Sequence, residues 1–320
     1  MMDWSDRHCR FFHRLFSPHA LLYTEMVVSA AIVRGNAAKL LAFDHREHPV
    51  ALQLGGCDPE ELAKAARIGE SFGYDEINLN VGCPSDRVQS GAFGACLMLN
   101  PTLVADCVRA LREAVSVPVT VKCRIGIDDE DSYEFFARFA GAVADAGIDA
   151  LIVHARAAIL GGLARPGLSP KENREIPPLK YDYVHRLKAE RPGLSIVING
   201  GFTDVASVLA QSRWGLDGVM LGRAAYHNPM LLAELERTLV NPDWRIPDPQ
   251  DLVQSVVAYV RAQPPGQRLH SITRHMHGLM AGRDGARAWR RFLSEVAARP
   301  EALPETLLSG LPILKHGMAA

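Results

Sequence analysis

Cys83 stands out by its neighbours, in Asn78-Leu-Asn-Val-Gly-Cys-Pro84. Gly82 lets the backbone bend sharply and Pro84 stiffens the turn, so the thiol belongs to a loop just beyond an apolar run. Most lone cysteines are small buried hydrophobes; this position leaves the sulfur open to chemistry. Other reactive or hydrogen-bonding residues end apolar runs in the same way: Gln53, Asn78 and Asn80, Lys122 and Arg124, His154 and Arg156, Asn199-Gly200-Gly201, and Gly222-Arg223. As structural groups alone, each would need its own buried partner. Their recurrence points to a ligand site.

The runs that carry these residues are Leu21–Val28, Val50–Gly55, Glu76–Val81, Val119–Ile125, Ala150–Ala155, Ser195–Asn199 and Gly218–Leu221. They are rich in Val, Ile and Leu without clean alternation, the pattern of parallel strands buried on both faces. Between them lie stretches with helical spacing: Asp58–Phe72, Pro101–Val115, Asp131–Ala146, Tyr181–Arg191 and Thr203–Ser212. Asp58 ahead of Pro59 is a plausible cap. Strict alternation predicts an α/β fold, a (β/α)8 TIM barrel at this length, whose site lies at the C-terminal ends of the strands. Gly200-Gly201 and Gly222-Arg223 then follow the last two strands, the usual phosphate site of such barrels. With Lys122 and His154 they suggest FMN; a sugar phosphate also fits.

Seven strands are visible, not eight. The helical stretch Asp6–Phe16 follows directly on the opening residues, so the first barrel strand is expected to be missing from this chain, which begins a few residues late. After Arg223 the alternation stops: Pro229–Val240 reads as the last barrel helix, and a Pro-rich stretch links it to a small helical bundle. The expected domains are a barrel over residues 1–240 and a helical domain over 241–320. Candidate helices in the latter are Leu252–Ala262, Leu269–Ala281 and Gly285–Ala298. Its basic residues are dense, among them Arg268, His270, Arg274, His275, His277, Arg283, Arg287, Arg290 and Arg291.

The chain has 320 residues, a formal net charge of −1, 48% hydrophobic and 22% charged residues, an ordinary soluble composition. Nucleic-acid binding would therefore need basic groups gathered on one face. Cysteines at 9, 57, 83, 96, 107 and 123 show no CxxC or metal-ligand spacing and read as reduced thiols, so no metal is expected. No apolar run approaches the ~20 residues of a membrane span, and no signal segment opens the chain. A cytoplasmic protein is expected.

The chain resembles the tRNA-dihydrouridine synthases, more closely their bacterial A-type subfamily. The resemblance rests on Asp3-Trp-Ser-Asp-Arg-His-Cys-Arg10, Leu22-Tyr-Thr-Glu-Met26, Gln53-Leu-Gly-Gly56 and Asn78-Leu-Asn-Val-Gly-Cys-Pro-Ser-Asp-Arg87. It continues through Thr120-Val-Lys122, His154-Ala-Arg156, Ser169-Pro-Lys-Glu-Asn-Arg-Glu-Ile-Pro-Pro178 and Asn199-Gly-Gly201. Thr273-Arg-His-Met276 and Gly285-Ala-Arg-Ala-Trp-Arg-Arg291 extend it into the bundle.

The resemblance implies a flavin barrel whose helical appendage helps grip tRNA and which acts at positions 20 and 20a of the D-loop with NADPH. It implies FMN contacts from Gln53, Lys122, His154, Asn199, Gly200, Gly201, Gly222 and Arg223. Cys83 would donate a proton and Asn80 would hold the target uracil. Lys171 and Arg174, with Arg287 and Arg290 in the bundle, would contact tRNA, and the protein is expected to be a monomer. NADPH has no GxGxxG fingerprint here and is expected to visit the flavin transiently.

Two departures from the family pattern stand out. Of the Ala-Pro-Met strand that precedes the Asp-Trp motif only the methionine is present, and Leu163–Gly167 reads as an insertion after the His154 strand. Two other readings compete: an FMN barrel acting on a small molecule, and a tRNA-binding protein without catalysis.

Overall fold

The computed structural model describes residues 1–85, 91–161 and 166–316. By contacts the chain forms two compact units: Tyr23–Phe43 with His48–Leu221, and Met1–Leu22 with Asp44–Glu47 and Gly222–Ala320.

The first unit is a parallel sheet with helices between its strands. Its strands are β1 (Leu22–Tyr23), β2 (Val27–Val28), β3 (Val50–Gly55), β4 (Glu76–Val81), β5 (Val119–Cys123), β6 (Ala150–His154), β7 (Ile196–Asn199) and β8 (Gly218–Met220). The ladder runs β1-β3-β4-β5-β6-β7-β8, with β2 also on β3. From β2 to β8 each strand is joined by a crossover to a parallel neighbour, the βα layout of a TIM barrel. β3 and β4 are buried along their whole length, as strands covered on both faces must be. The two ends of the ladder are β1 and β8.

The helices start where local chemistry dictates. Asp58 accepts the Glu61 amide at 2.8 Å and caps Pro59–Ser71. Asn100 caps Pro101–Ala114 and Ser132 caps Tyr133–Asp145, in each case by accepting the amide three residues on. Such caps contribute about 1 kcal/mol each. Tyr181–Glu190 and the short Val205–Leu209 complete the set.

Two expectations change. The run Leu21–Val28 is two strands, because the Thr24 hydroxyl accepts the Gln53 amide at 2.9 Å and interrupts the backbone ladder. Leu269–Ala281 is not one helix: an α-turn covers Leu269–Thr273 and a tighter one Arg274–Met276. Beyond them Gly278 lies so close to the His227 carbonyl that a Cβ would meet its oxygen at 2.5 Å. No side chain fits at that position.

The contact-based units do not follow the chain's order. The sheet unit ends at Leu221, and the N-terminal helix Arg7–Arg14 belongs to the helical unit. The reason is aromatic and ionic packing inside that unit. Phe11 stacks on Tyr259 with centroids 3.8 Å apart, His8 Nδ1 lies 2.7 Å from the Tyr259 hydroxyl, and Asp6 pairs with Arg274 and His275. Trp289, fully buried, donates to the Met276 carbonyl at 2.9 Å and anchors Ala286–Glu295.

No helix among the described residues is long and apolar enough to cross a membrane, and no cluster of His, Cys, Asp and Glu among them could hold a metal. The described cysteines are all free. Leu163–Arg165 of the expected insertion, and Asp86 and Arg87 of the cysteine motif, lie outside the described residues.

Candidate active site

The polar ends of β3 and β4 form one connected array. Gln53 on β3 donates through Nε2 to Asn78 Oδ1 at 2.9 Å and accepts from Asn80 Nδ2 at 2.7 Å. Asn80 Oδ1 accepts the amides of Gly82 at 3.0 Å and Cys83 at 2.9 Å. The cysteine loop is thus folded back onto the end of its own strand, and the Cys83 carbonyl accepts from Ala95 N at 2.9 Å. Cys83 is half-buried, with Sγ 3.7 Å from the Ser85 hydroxyl.

Lys122 on β5 donates to Asn199 Oδ1 on β7 at 3.4 Å. These strands are not neighbours, so the sheet curves to bring them together. Asn199 Nδ2 donates to the Met220 carbonyl at 2.7 Å, which ties β7 to β8. Burial, reinforced by the positive charge of Arg124, lowers the Lys122 pKa to about 8. The ammonium is thus a charge held at some cost, suited to an anionic neighbour.

Gly200 and Gly201 both have positive φ, at 116° and 81°. A Cβ at Gly200 would meet Leu179 at 2.9 Å and the His154 ring at 3.0 Å. Only glycine lets the chain turn here against that imidazole. Gly222 and Arg223 belong to the other unit, where Gly222 precedes the short helix Arg223–His227.

Not every polar strand end faces a ligand. Asn78 is fully buried and spends Nδ2 on the Thr120 hydroxyl at 2.8 Å. Arg124 donates to the carbonyls of Gly82, Ala157 and Asn173 at 3.2, 3.3 and 2.8 Å, and burial lowers its pKa to about 10. It fastens three loops. Arg156 donates to the Pro177 carbonyl. Asn78, Arg124 and Arg156 thus each have protein partners of their own.

Lys171 and Arg174 are exposed on either side of Asn173, which is fully buried. Asn173 accepts from Ile159 N at 2.7 Å and donates to the Ile159 and Leu168 carbonyls at 3.0 and 2.7 Å. Ser169 and Glu172 cap the turn that carries the pair, the Ser169 hydroxyl donating to Glu172 Oε2 at 2.6 Å. Sequence reasoning missed Asn173, whose only signal is an uncharged residue between Glu172 and Arg174. Glu76 and Thr120 were missed too: they lie at the starts of β4 and β5, away from the strand ends that carry the motifs.

In the helical unit Arg287, Arg290 and Arg291 are exposed, opposite the buried Trp289, Phe292 and Leu293. Arg274 and His275, counted with the basic face in the sequence, turn instead to Asp6, at 2.7 and 3.0 Å.

A model of the family described as dihydrouridine synthase (Dus) matches residues 1–312. The chain is 55% identical over 303 residues to the tRNA-dihydrouridine(20/20a) synthase of Xanthomonas campestris pv. campestris, covering 94% of this chain and 88% of that one. The protein of the same name from Escherichia coli K12 is 54% identical over 304 residues, covering 94% and 86%. The one from Vibrio parahaemolyticus is 50% identical over 321 residues, covering 100% and 94%. Among solved structures, the old yellow enzyme homologue from Zymomonas mobilis aligns with a TM-score of 0.49 at 14% identity, over 71% of this chain and 82% of that one. With a family model and relatives at half identity or better spanning nearly its whole length, the chain belongs to the dihydrouridine synthase family.

Proposed function

We propose that the protein reduces uridine to 5,6-dihydrouridine at positions 20 and 20a of the tRNA D-loop, with FMN as resident cofactor and NADPH as reductant. The observation that carries the reading is the Cys83 loop, pinned by Asn80 beside the buried ammonium of Lys122. The residues fit a flavin by their donor chemistry. Lys122 is a cation, and Gln53 Nε2, with one N–H given to Asn78, keeps a second for a ring carbonyl. Gln53, Lys122, His154, Asn199, Gly200, Gly201, Gly222 and Arg223 would hold FMN, which when reduced supplies a hydride for C6 of the base.

Cys83 Sγ holds the proton that goes to C5, as a neutral thiol acting as general acid. Lys122 stays mostly protonated at pH 7 and offsets negative charge that develops at the mouth of the site. Asn80 would hold the uracil, which must leave its stack at a cost of a few kcal/mol, least in a loop. Lys171, Arg174, Arg287 and Arg290 would meet tRNA phosphates as exposed cations. In this reading residues 1–240 are catalytic, residues 241–320 bind tRNA, and the protein acts as a cytoplasmic monomer.

The test is direct. Purified protein with FMN, NADPH and an unmodified tRNA transcript forms dihydrouridine, read by mass spectrometry of the digested RNA. Reduction of free uracil or another small molecule, with none of tRNA, refutes the proposal.

A further inference from the structure

The order of hydrogen bonds beneath Cys83 has a direction, and that direction is set at the floor of the sheet. The Thr120 hydroxyl has one proton, which it gives to Glu76 Oε1 at 2.5 Å; the same carboxylate oxygen accepts from the Tyr23 hydroxyl at 2.7 Å. Thr120 Oγ1 can then only accept from its other partner, so Asn78 must present Nδ2 to it, at 2.8 Å. Asn78 Oδ1 is thereby turned to Gln53 Nε2, and Gln53 Oε1 to Asn80 Nδ2. Asn80 Oδ1 is left to accept the two loop amides of Gly82 and Cys83.

We propose that Glu76 and Thr120 are positioning residues which, through the amides of Asn78, Gln53 and Asn80, fix the Cys83 loop and leave Asn80 a donor toward the base. Both lone pairs of Asn80 Oδ1 are taken and one Nδ2 proton goes to Gln53, so what Asn80 offers outward is a single N–H. Resting on the proposed reaction, this means Asn80 meets a carbonyl oxygen of the pyrimidine and not its N3–H. Reversing one amide would set donor against donor along the array and release the loop.

The test uses the full-length protein with Cys57→Ser and Cys96→Ser, which remove the other half-buried thiols, and reads the rate of Cys83 alkylation by iodoacetamide. Thr120→Val keeps the shape and deletes the hydroxyl. It should speed alkylation about fivefold, the loss of roughly one net hydrogen bond. It should also lower kcat for tRNA without raising KM. Thr120→Ser should restore both. With Asn80→Ala already present, Thr120→Val should change alkylation no further. Should Thr120→Val not fold, Glu76→Gln serves: its amide oxygen still accepts both hydroxyls, so wild-type alkylation is expected and a faster rate overturns the inference.

An unchanged rate in folded Thr120→Val overturns it, as does an effect that persists in Asn80→Ala. Faster alkylation in Thr120→Val, in a protein whose parent forms no dihydrouridine, upholds the relay and refutes the reaction instead.

Discussion

Replacing Asn173 by alanine should melt the loop that presents Lys171 and Arg174 while leaving the sheet intact. The side chain is fully buried and makes three hydrogen bonds to backbone groups, to Ile159 N, Ile159 O and Leu168 O. Alanine leaves all three groups without their partner. Each orphaned buried group costs about 1–3 kcal/mol, and relaxation with water entry recovers part of the sum, so a local loss of about 2–4 kcal/mol is expected. Amide exchange in residues 157–161 and 168–174 should then accelerate by about thirty- to a thousand-fold, at roughly 1.4 kcal/mol per decade. Hydrogen exchange read by mass spectrometry resolves this, with β3 and β4 as internal controls that stay protected. tRNA affinity should fall about tenfold, since binding must reorder the loop. Exchange within about threefold of the wild type would refute the reasoning, because a side chain with three buried bonds cannot be removed so cheaply.

Three further outcomes follow from the site. Lys122 has a folded-state pKa of about 8 against an ordinary 10.5, so between these values the unfolded chain binds more protons and stability rises with pH; below pH 8 the full burial cost is present. Relative to Lys122→Met, cofactor-free wild type should gain at most about 3 kcal/mol between pH 7.5 and 10.5, seen in urea midpoints; a flat difference contradicts this. Cys83→Ala should keep its fold and its flavin absorbance yet lose about a hundredfold in dihydrouridine formation, and wild-type turnover would remove the proton from Sγ. Arg287→Ala with Arg290→Ala should weaken tRNA binding and reduce the log–log salt slope by about 1.5, the loss of two phosphate contacts; an unchanged slope places the RNA elsewhere.

What the sequence made legible follows from where each residue's signal lies. Strands buried on both faces read as apolar runs, and Asp58 announced its helix because a cap acts on its own next turn. Cys83 was legible for a similar reason: glycine and proline beside it fix a local bend. The Thr24 hydroxyl that splits the first run acts on Gln53, far along the chain, and leaves no local mark. Gly278 reads as an ordinary helical residue until the His227 carbonyl is seen against it. Glu76 and Thr120 leave no local mark either, since they pair with each other across β4 and β5. Arg124 shows the converse error. Its position at a strand end suggested a ligand contact, but three loop carbonyls occupy it.

Dihydrouridine mapped across tRNA from cells lacking this gene, and again after complementation, tests the central claim most directly. The modification should vanish at positions 20 and 20a alone, return with the wild-type gene, and stay absent with Cys83→Ala. Unaltered dihydrouridine in the deletion strain, or full restoration by Cys83→Ala, would contradict it.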